Sequence, residues 1–333
     1  MRCPTLRDLP PPPPGKTGWP WTEESATTLP PTMPDGQPWP RITVVTPSFN
    51  QAAFVEATLR SILLQGYPDL EYFVLDGGST DGSVEIIEKY APWLAHWVSE
   101  PDGGQSVAID RGVRRGSGVF ATWINSDDML CRDALVTHAS RVGFNPKVVY
   151  AGYCLHIDAD DRLLKTHRGR VHSIDDLLRV RTVWRARGQR GHLVQPEVLF
   201  PRQLALNVGG INPANQRTMD YELWGRLLLA GVRFEYTDVP FGTFRLHGQQ
   251  KTHDSWRTSE SLIETATRLL TIANDLPRHT RQEILADLRA YERECWRHTG
   301  RLARLNLPRR LVMRLRTLSA TMHRARFGSA ARS

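Results

Sequence analysis

Two adjacent carboxylates, Asp127 and Asp128, follow the apolar run Val119 to Ile124. Neighbouring carboxylates repel, and a pair at the end of a buried strand is costly unless a positive charge lies beside it. A divalent cation bridging a diphosphate supplies that charge. Magnesium and manganese take oxygen ligands, commonly one or two carboxylates with phosphate oxygens and water. The same acids would also suit a solvated turn leading into a helix; their place after a strand, among other polar strand ends, favours the metal. A third acid, Asp76, lies in Leu75-Asp-Gly-Gly-Ser-Thr-Asp-Gly82. Its carboxylate could accept the imide N–H of uracil or thymine, or a ribose hydroxyl, and the glycines would let backbone approach a base closely. A glycine-rich turn before a helix capped by Ser79 or Asp81 is the plainer reading, and both can hold together.

The elements that must position these acids begin at Arg41. Ile42 to Thr46 is β-branched and apolar, the texture of a buried strand. Helical spacing runs from Phe54 to Leu64, a second strand from Glu71 to Leu75, and a helix behind Asp81 to Tyr90. His96 to Val98 reads as a third strand, Gln105 to Arg115 as a helix and Val119 to Ile124 as a fourth strand. Strands alternating with helices predict a parallel sheet covered on both faces. In such sheets ligands bind beyond the carboxyl ends of the strands. Thr46-Pro47-Ser48, Asp76, Glu100-Pro101-Asp102 and Asp127-Asp128 all fall there. Further along, strands are expected over 148–157, 193–200, 233–237 and 242–246. Helices are expected over 173–179 and 219–230, twice within 255–300, and over 308–327.

Thr46-Pro-Ser-Phe-Asn50, Asp76 to Gly82, Ser99-Glu-Pro-Asp102 with Gln105, and Asn125-Ser-Asp-Asp128 together resemble the inverting family 2 glycosyltransferases. The resemblance covers about residues 41–250. It implies a GT-A type, Rossmann-like, mostly parallel α/β sheet flanked by helices, with a C-terminal helical extension. It implies a nucleoside-diphosphate sugar as donor, UDP type favoured, Mn2+ or Mg2+ as cofactor, and a glycan or lipid-linked acceptor in surface polysaccharide or glycoconjugate synthesis. Thr46, Pro47, Phe49, Asp76, Asp102, Gln105 and Asp127 would bind the nucleotide sugar, and Asp128 and His247 the metal. Many members carry two acids where this chain has Asp76-Gly77, so the base contact of the second acid falls to Asp76. Asp220, in Thr218-Met-Asp-Tyr-Glu-Leu-Trp224, matches the catalytic base that takes the acceptor hydroxyl proton in a single displacement. In similar enzymes a histidine placed like His247 approaches the metal or diphosphate, and a basic neighbour neutralises the leaving group. Gln195-Pro196-Glu197 is expected on the acceptor side.

Other chemistries fit less well. A sugar nucleotidyltransferase would carry a glycine-rich basic loop after the first strand, where Pro47-Ser48-Phe49-Asn50 stands. A dinucleotide oxidoreductase needs G-x-G-x-x-G, which Asp76 to Gly82 does not supply. Gly15-Lys16-Thr17 ends like a phosphate loop, but Pro10 occupies the position of its first glycine. A catalytically inactive nucleotide-sugar-binding module is the remaining alternative.

The bulk properties set the frame. Of the 23 prolines, twelve fall in residues 1–40, which predicts a disordered or extended leader before a domain over 41–250. That domain divides into a nucleotide half, 41–130, and an acceptor half, 131–250; residues 251–333 form the helical extension. The net charge of +8 is concentrated at the end: ten arginines and no acid follow Glu294. With its apolar stripe, this tail is a candidate for peripheral contact with an anionic membrane. No aromatic platform accompanies the arginines, so nucleic acid is not the expected partner. The four cysteines form no C-x-x-C pair and no apolar run reaches membrane-spanning length, so the expected setting is the cytoplasm, at or near the inner face of the membrane.

Overall fold

The computed structural model describes residues 3–185, 191–248, 250 and 255–302. The helix expected over 308–327 lies outside the described residues, as does most of the basic tail. The chain up to Leu288 packs as one compact unit.

The first half builds β1 (Ile42–Ser48), α1 (Val55–Leu63), β2 (Leu70–Asp76), α2 (Ser83–Tyr90), β3 (His96–Ser99), α3 (Gln105–Arg115) and β4 (Phe120–Trp123). These four strands are parallel, in the order β3-β2-β1-β4. All seven residues of β1 are buried, as strands covered on both faces must be. Helix α3 lies so close to β1 that a Cβ on Gly112 would stand 2.5 Å from a Val45 methyl carbon, which leaves room only for glycine. The chain leaves β1 toward β2 and β3, then returns to place β4 on the other side of β1. That reversal opens a crevice at the carboxyl ends of β1 and β4. The register sets Ser48, Asp76 and Ser99 side by side along this edge.

The second half adds β5 (Met129–Leu130), α4 (Ala134–Arg141), β6 (Val148–Ile157), β7 (Leu163–His167), α5 (Ile174–Leu178), α6 (Val180–Arg185), β8 (Val198–Pro201), α7 (Arg202–Asn207), α8 (Met219–Leu229) and β9 (Arg233–Arg245). The sheet continues as β4-β8-β6-β9-β5, with β7 paired to β6. Here β8 is antiparallel to both β4 and β6, and β9 is parallel to β6. The whole is therefore a nine-stranded mixed sheet whose first four strands are parallel. The two strands expected over 233–246 are one strand of 13 residues, which absorbs Pro240 through register shifts against β6.

On one face Trp224 of α8 stacks on Trp123 of β4, with centroids 6.0 Å apart. Helix α9 (Ser255–Ile272) packs through buried Leu262, Ala266 and Leu269, and Ser261 Oγ lies 2.9 Å from Thr218 Oγ1. The compact unit thus runs past the boundary expected at residue 250, into α10 (Arg278–Leu302). Among the described residues no helix is long and apolar enough to cross a membrane.

The leader departs from expectation. It is extended, without helix or strand in its described part, but it is held in place. Leu9, Trp21, Leu29 and Trp39 are buried. Fully buried Arg60 of α1 donates to Pro10 O at 2.7 Å, Pro20 O at 3.0 Å and Trp21 O at 2.9 Å, and Tyr90 Oη completes its shell at 3.1 Å. Asp133 Oδ1 accepts from Ser25 Oγ at 2.5 Å and from the Ala26 amide at 2.9 Å. Prolines forbid regular structure here but leave carbonyls unpaired. The fold supplies those carbonyls with a cation.

Candidate active site

The loop after β4 turns sharply: the Asp128 amide donates to Asn125 O at 2.9 Å. Asp128 is 1% exposed, while Asp127 is half-buried. Asp128 Oδ1 accepts the Arg245 amide at 2.8 Å and Oδ2 accepts Asn125 Nδ2 at 3.2 Å. Burial, and then the charge of Asp127, push the Asp128 carboxyl well above the usual carboxylate range. His247, just beyond β9, places Nε2 3.0 Å from Asp127 Oδ2, with its ring against Phe54. The two acids and the histidine predicted for the metal and diphosphate are therefore brought together.

This cluster suits a hard divalent cation. Its donors are carboxylate oxygens, and its electrostatic defect is excess negative charge. Among the described residues no three ligating side chains are arranged to enclose an ion by themselves. Donor phosphate oxygens and water would have to complete the shell, the usual arrangement for magnesium.

The residues expected to bind the nucleoside lie on the loops after β1, β2 and β3. Of the residues expected from the first motif, Phe49 alone faces outward, 60% exposed. Thr46 and Pro47 are buried, and Thr46 Oγ1 lies on Tyr72 Oη at 2.9 Å, so Thr46 supports the rim from beneath rather than lining it. Asp76 is also redirected. Its Oδ2 accepts Gly78 N at 3.1 Å, Ser79 N at 2.8 Å and Ser99 Oγ at 2.7 Å, and its Oδ1 accepts Ser79 Oγ at 2.6 Å. Three of these bonds fall on Oδ2 and one on Oδ1. Only 1% exposed, Asp76 organises its loop rather than facing a base. Gly77 shows what replaces it: a Cβ there would stand 3.3 Å from both Asp102 Oδ1 and Phe49 Cδ2. Asp102 and Phe49 thus flank the position where many similar chains carry a second acid. Asp102 Oδ1 accepts Gly104 N at 2.7 Å.

Asp220 opens α8. Its Oδ1 accepts the Tyr221 amide at 2.8 Å, and burial pushes its carboxyl up to about 6. Helix α3 ties the acid loop to the loop that precedes Asp220. Gln105 Nε2 donates to Asn125 Oδ1 at 2.7 Å, and its neighbour Ser106 donates to Asn215 O at 2.5 Å in the loop that leads to Asp220.

Other residues have structural roles. Arg245 is 1% exposed, so it does not face the leaving group as a surface cation. Its Nε donates to Asp127 O at 2.7 Å. Gln195 Nε2 donates to Trp123 O at the end of β4. Glu197 is fully buried; it accepts Val194 N at 2.9 Å, and burial raises its carboxyl well above the usual range. It holds a loop and does not reach an acceptor. Two residues of the site are not singled out by sequence reasoning. Asn125 stands inside a motif whose acids draw the attention, and Phe54 has the look of any apolar helix residue.

Comparison with known proteins agrees with this architecture. Residues 43–197 match the family model described as Glycosyl transferase family 2. An uncharacterized glycosyltransferase of Mycobacterium tuberculosis H37Rv is 35% identical over 101 residues, 30% of this chain and 38% of the relative. TuaG of Bacillus subtilis, a glycosyltransferase provisionally assigned to teichuronic acid biosynthesis, is 33% identical over 99 residues, 29% of this chain and 39% of TuaG. The matches thus span about two fifths of these relatives. Staphylococcus aureus TarS 1–349 in complex with UDP-GlcNAc superposes with a TM-score of 0.57 at 18% identity, over 80% of this chain and 76% of that one. The mannosyltransferase PcManGT of Pyrobaculum calidifontis, in complex with GDP-Man and Mn2+, gives 0.50 at 20% identity, over 90% and 84%. At such identities the structures speak for the fold, the expected GT-A type α/β sheet with C-terminal helices. Residues 43–197 thus have the sequence pattern of a glycosyl transferase family 2 domain.

Proposed function

We propose that this protein moves a glycosyl group from a nucleoside-diphosphate sugar to an acceptor hydroxyl, with inversion. The observation that carries the reading is the Asp127–Asp128 pair, one half-buried and one buried, at the crevice between β1 and β4, with His247 on Asp127 and Asp220 at the head of α8. Asp128 and Asp127, with His247 beside them, would hold Mn2+ or Mg2+. A bound divalent ion supplies Lewis-acid stabilisation of charge on the departing diphosphate. The Pyrobaculum mannosyltransferase, whose structure is in complex with GDP-Man and Mn2+, supports this choice.

The chain's own residues do the rest. Phe49 offers an exposed ring for the base, and Asp102 presents an acceptor across Gly77 to an imide N–H. Uracil, thymine and guanine carry such a donor; the UDP-GlcNAc and GDP-Man of the structural relatives fit that pattern. Gln105 holds Asn125, and Asn125 holds Asp128, so the base side and the diphosphate side are fixed to one another. Asp220 takes the acceptor hydroxyl proton as that oxygen attacks the anomeric carbon and the bond to the diphosphate oxygen breaks. With its carboxyl near 6 it is ionised at neutral pH yet more basic than an ordinary aspartate, as a general base should be. The similarity to TuaG supports a cell-surface polysaccharide as the acceptor's destination, in glycan or lipid-linked form.

The test is calorimetric titration of UDP, GDP and dTDP, with and without Mn2+, repeated on Asp128→Ala. Metal-dependent binding of one nucleotide, lost in the variant, is the expected result. No binding of any nucleotide in any metal condition would leave a family 2 fold that serves as a binding module for something else.

A further inference from the structure

The buried guanidinium of Arg245 joins the acid loop to a distant turn. Besides its bond to Asp127 O, its Nη1 donates to Asp158 O at 3.2 Å and forms an ion pair with Asp161 Oδ1 at 2.5 Å. Phe54 covers it, with the ring centroid 4.9 Å from Cζ. Its own backbone amide is the donor to Asp128 Oδ1. Asp158 and Asp161 belong to the turn between β6 and β7. Hydrogen bonds within that turn hold its shape, since Asp158 Oδ1 accepts the amides of Asp160 and Arg162, both at 2.9 Å. Asp161 adopts a left-handed φ of 66°, which aspartate and asparagine tolerate better than most residues.

We infer that Arg245 and Asp161 are positioning residues for the Asp127–Asp128 pair, so that the β6–β7 turn sets how strongly the site holds its cation. The inference rests on the proposed donor site. Arg245 carries a fixed positive charge next to two acids that a divalent ion must also claim. While Asp161 balances that charge from the far side, less of it opposes a cation at the carboxylates. Without Asp161 the guanidinium is drawn to Asp128, which already senses its charge, and competes with the ion. Asp161 belongs to no motif that marks the site, yet it governs metal affinity through one intermediary, the Arg245 guanidinium.

Mn2+-dependent UDP binding is measured by calorimetry on the wild type, Asp161→Asn and Asp160→Asn, with melting temperatures alongside. Asparagine keeps the left-handed turn and removes the charge. Asp160, whose only ion pair among the described residues is with exposed Arg162, is the control in the same turn. Asp161→Asn should need about 10- to 100-fold more Mn2+, with full UDP binding and turnover regained at saturating Mn2+. Asp160→Asn should match the wild type. Equal Mn2+ dependence of all three proteins would overturn the inference, and so would a defect in Asp161→Asn that saturating Mn2+ does not restore. A wild type that binds no nucleotide with Mn2+ would instead overturn the donor-site reading beneath it.

Discussion

Replacing Asp220 by asparagine should make the protein more stable while abolishing turnover. Burial raises the Asp220 carboxyl from 3.8 to about 6, so the folded state holds a proton that the unfolded chain releases more readily. Below pH 3.8 both states are protonated and the residue costs nothing. Between there and about 6 the unfolded chain ionises first, and folding loses ground; above about 6 the full penalty is present. That difference corresponds to a ceiling of about 3 kcal/mol. The side chain is partly open to solvent, which reduces the figure to about 1–2 kcal/mol. For a folded unit of this size that is a rise in Tm of about 2–3 °C. The asparagine amide oxygen can still accept the Tyr221 amide, so the local bond survives. The assay is thermal unfolding of both proteins near neutral pH and again below about pH 4, with turnover and metal-dependent UDP binding measured in parallel. The variant should melt higher near neutrality, equal the wild type in acid, bind UDP and fail to transfer. The wild-type kcat/KM should fall as pH drops through about 6. A stability gap that persists unchanged in acid, or a variant that still turns over, would refute the assignment.

Two further outcomes follow from the geometry. Arg60→Met should destabilise the unit by roughly 3 kcal/mol, because three leader carbonyls lose a buried cationic donor; limited proteolysis should then cut within residues 3–40. Gly77→Ala should weaken nucleotide binding by about tenfold, since its methyl would press on both Phe49 and Asp102 at 3.3 Å; titration with UDP reads this directly, and unchanged affinity would place the base elsewhere.

Much of the nucleotide half was legible because each element there is locally consistent. Ile42 to Thr46 and Glu71 to Leu75 carry the β-branched, apolar residues of buried strands, and each ends in a polar turn at the same edge of the sheet. Helix α8 was legible from its spacing, and its tryptophan found the expected core. What escaped notice was non-local. Strand β7 is exposed along most of its length, so no alternation announced it. The leader's order depends on Arg60 and Asp133, far along the chain, and no local pattern records that. Asp76 carries the residue type a base contact needs, but it is buried and bonded to its neighbours Ser79 and Ser99. The role of Asp102 depends on the space that Gly77 leaves, which only the folded loops define.

The attachment of the acid loop to β9 has a temporal side. The Arg245 amide that fixes Asp128 lies 117 residues further along the chain. During synthesis the carboxylates therefore emerge long before the strand that sets them, while β1 to β4 already have their parallel partners. Such long-range pairings form late in folding. The nascent chain would pass through a stage with a framed crevice and unset acids, and the proposed donor site would be completed in a single late step as β9 docks.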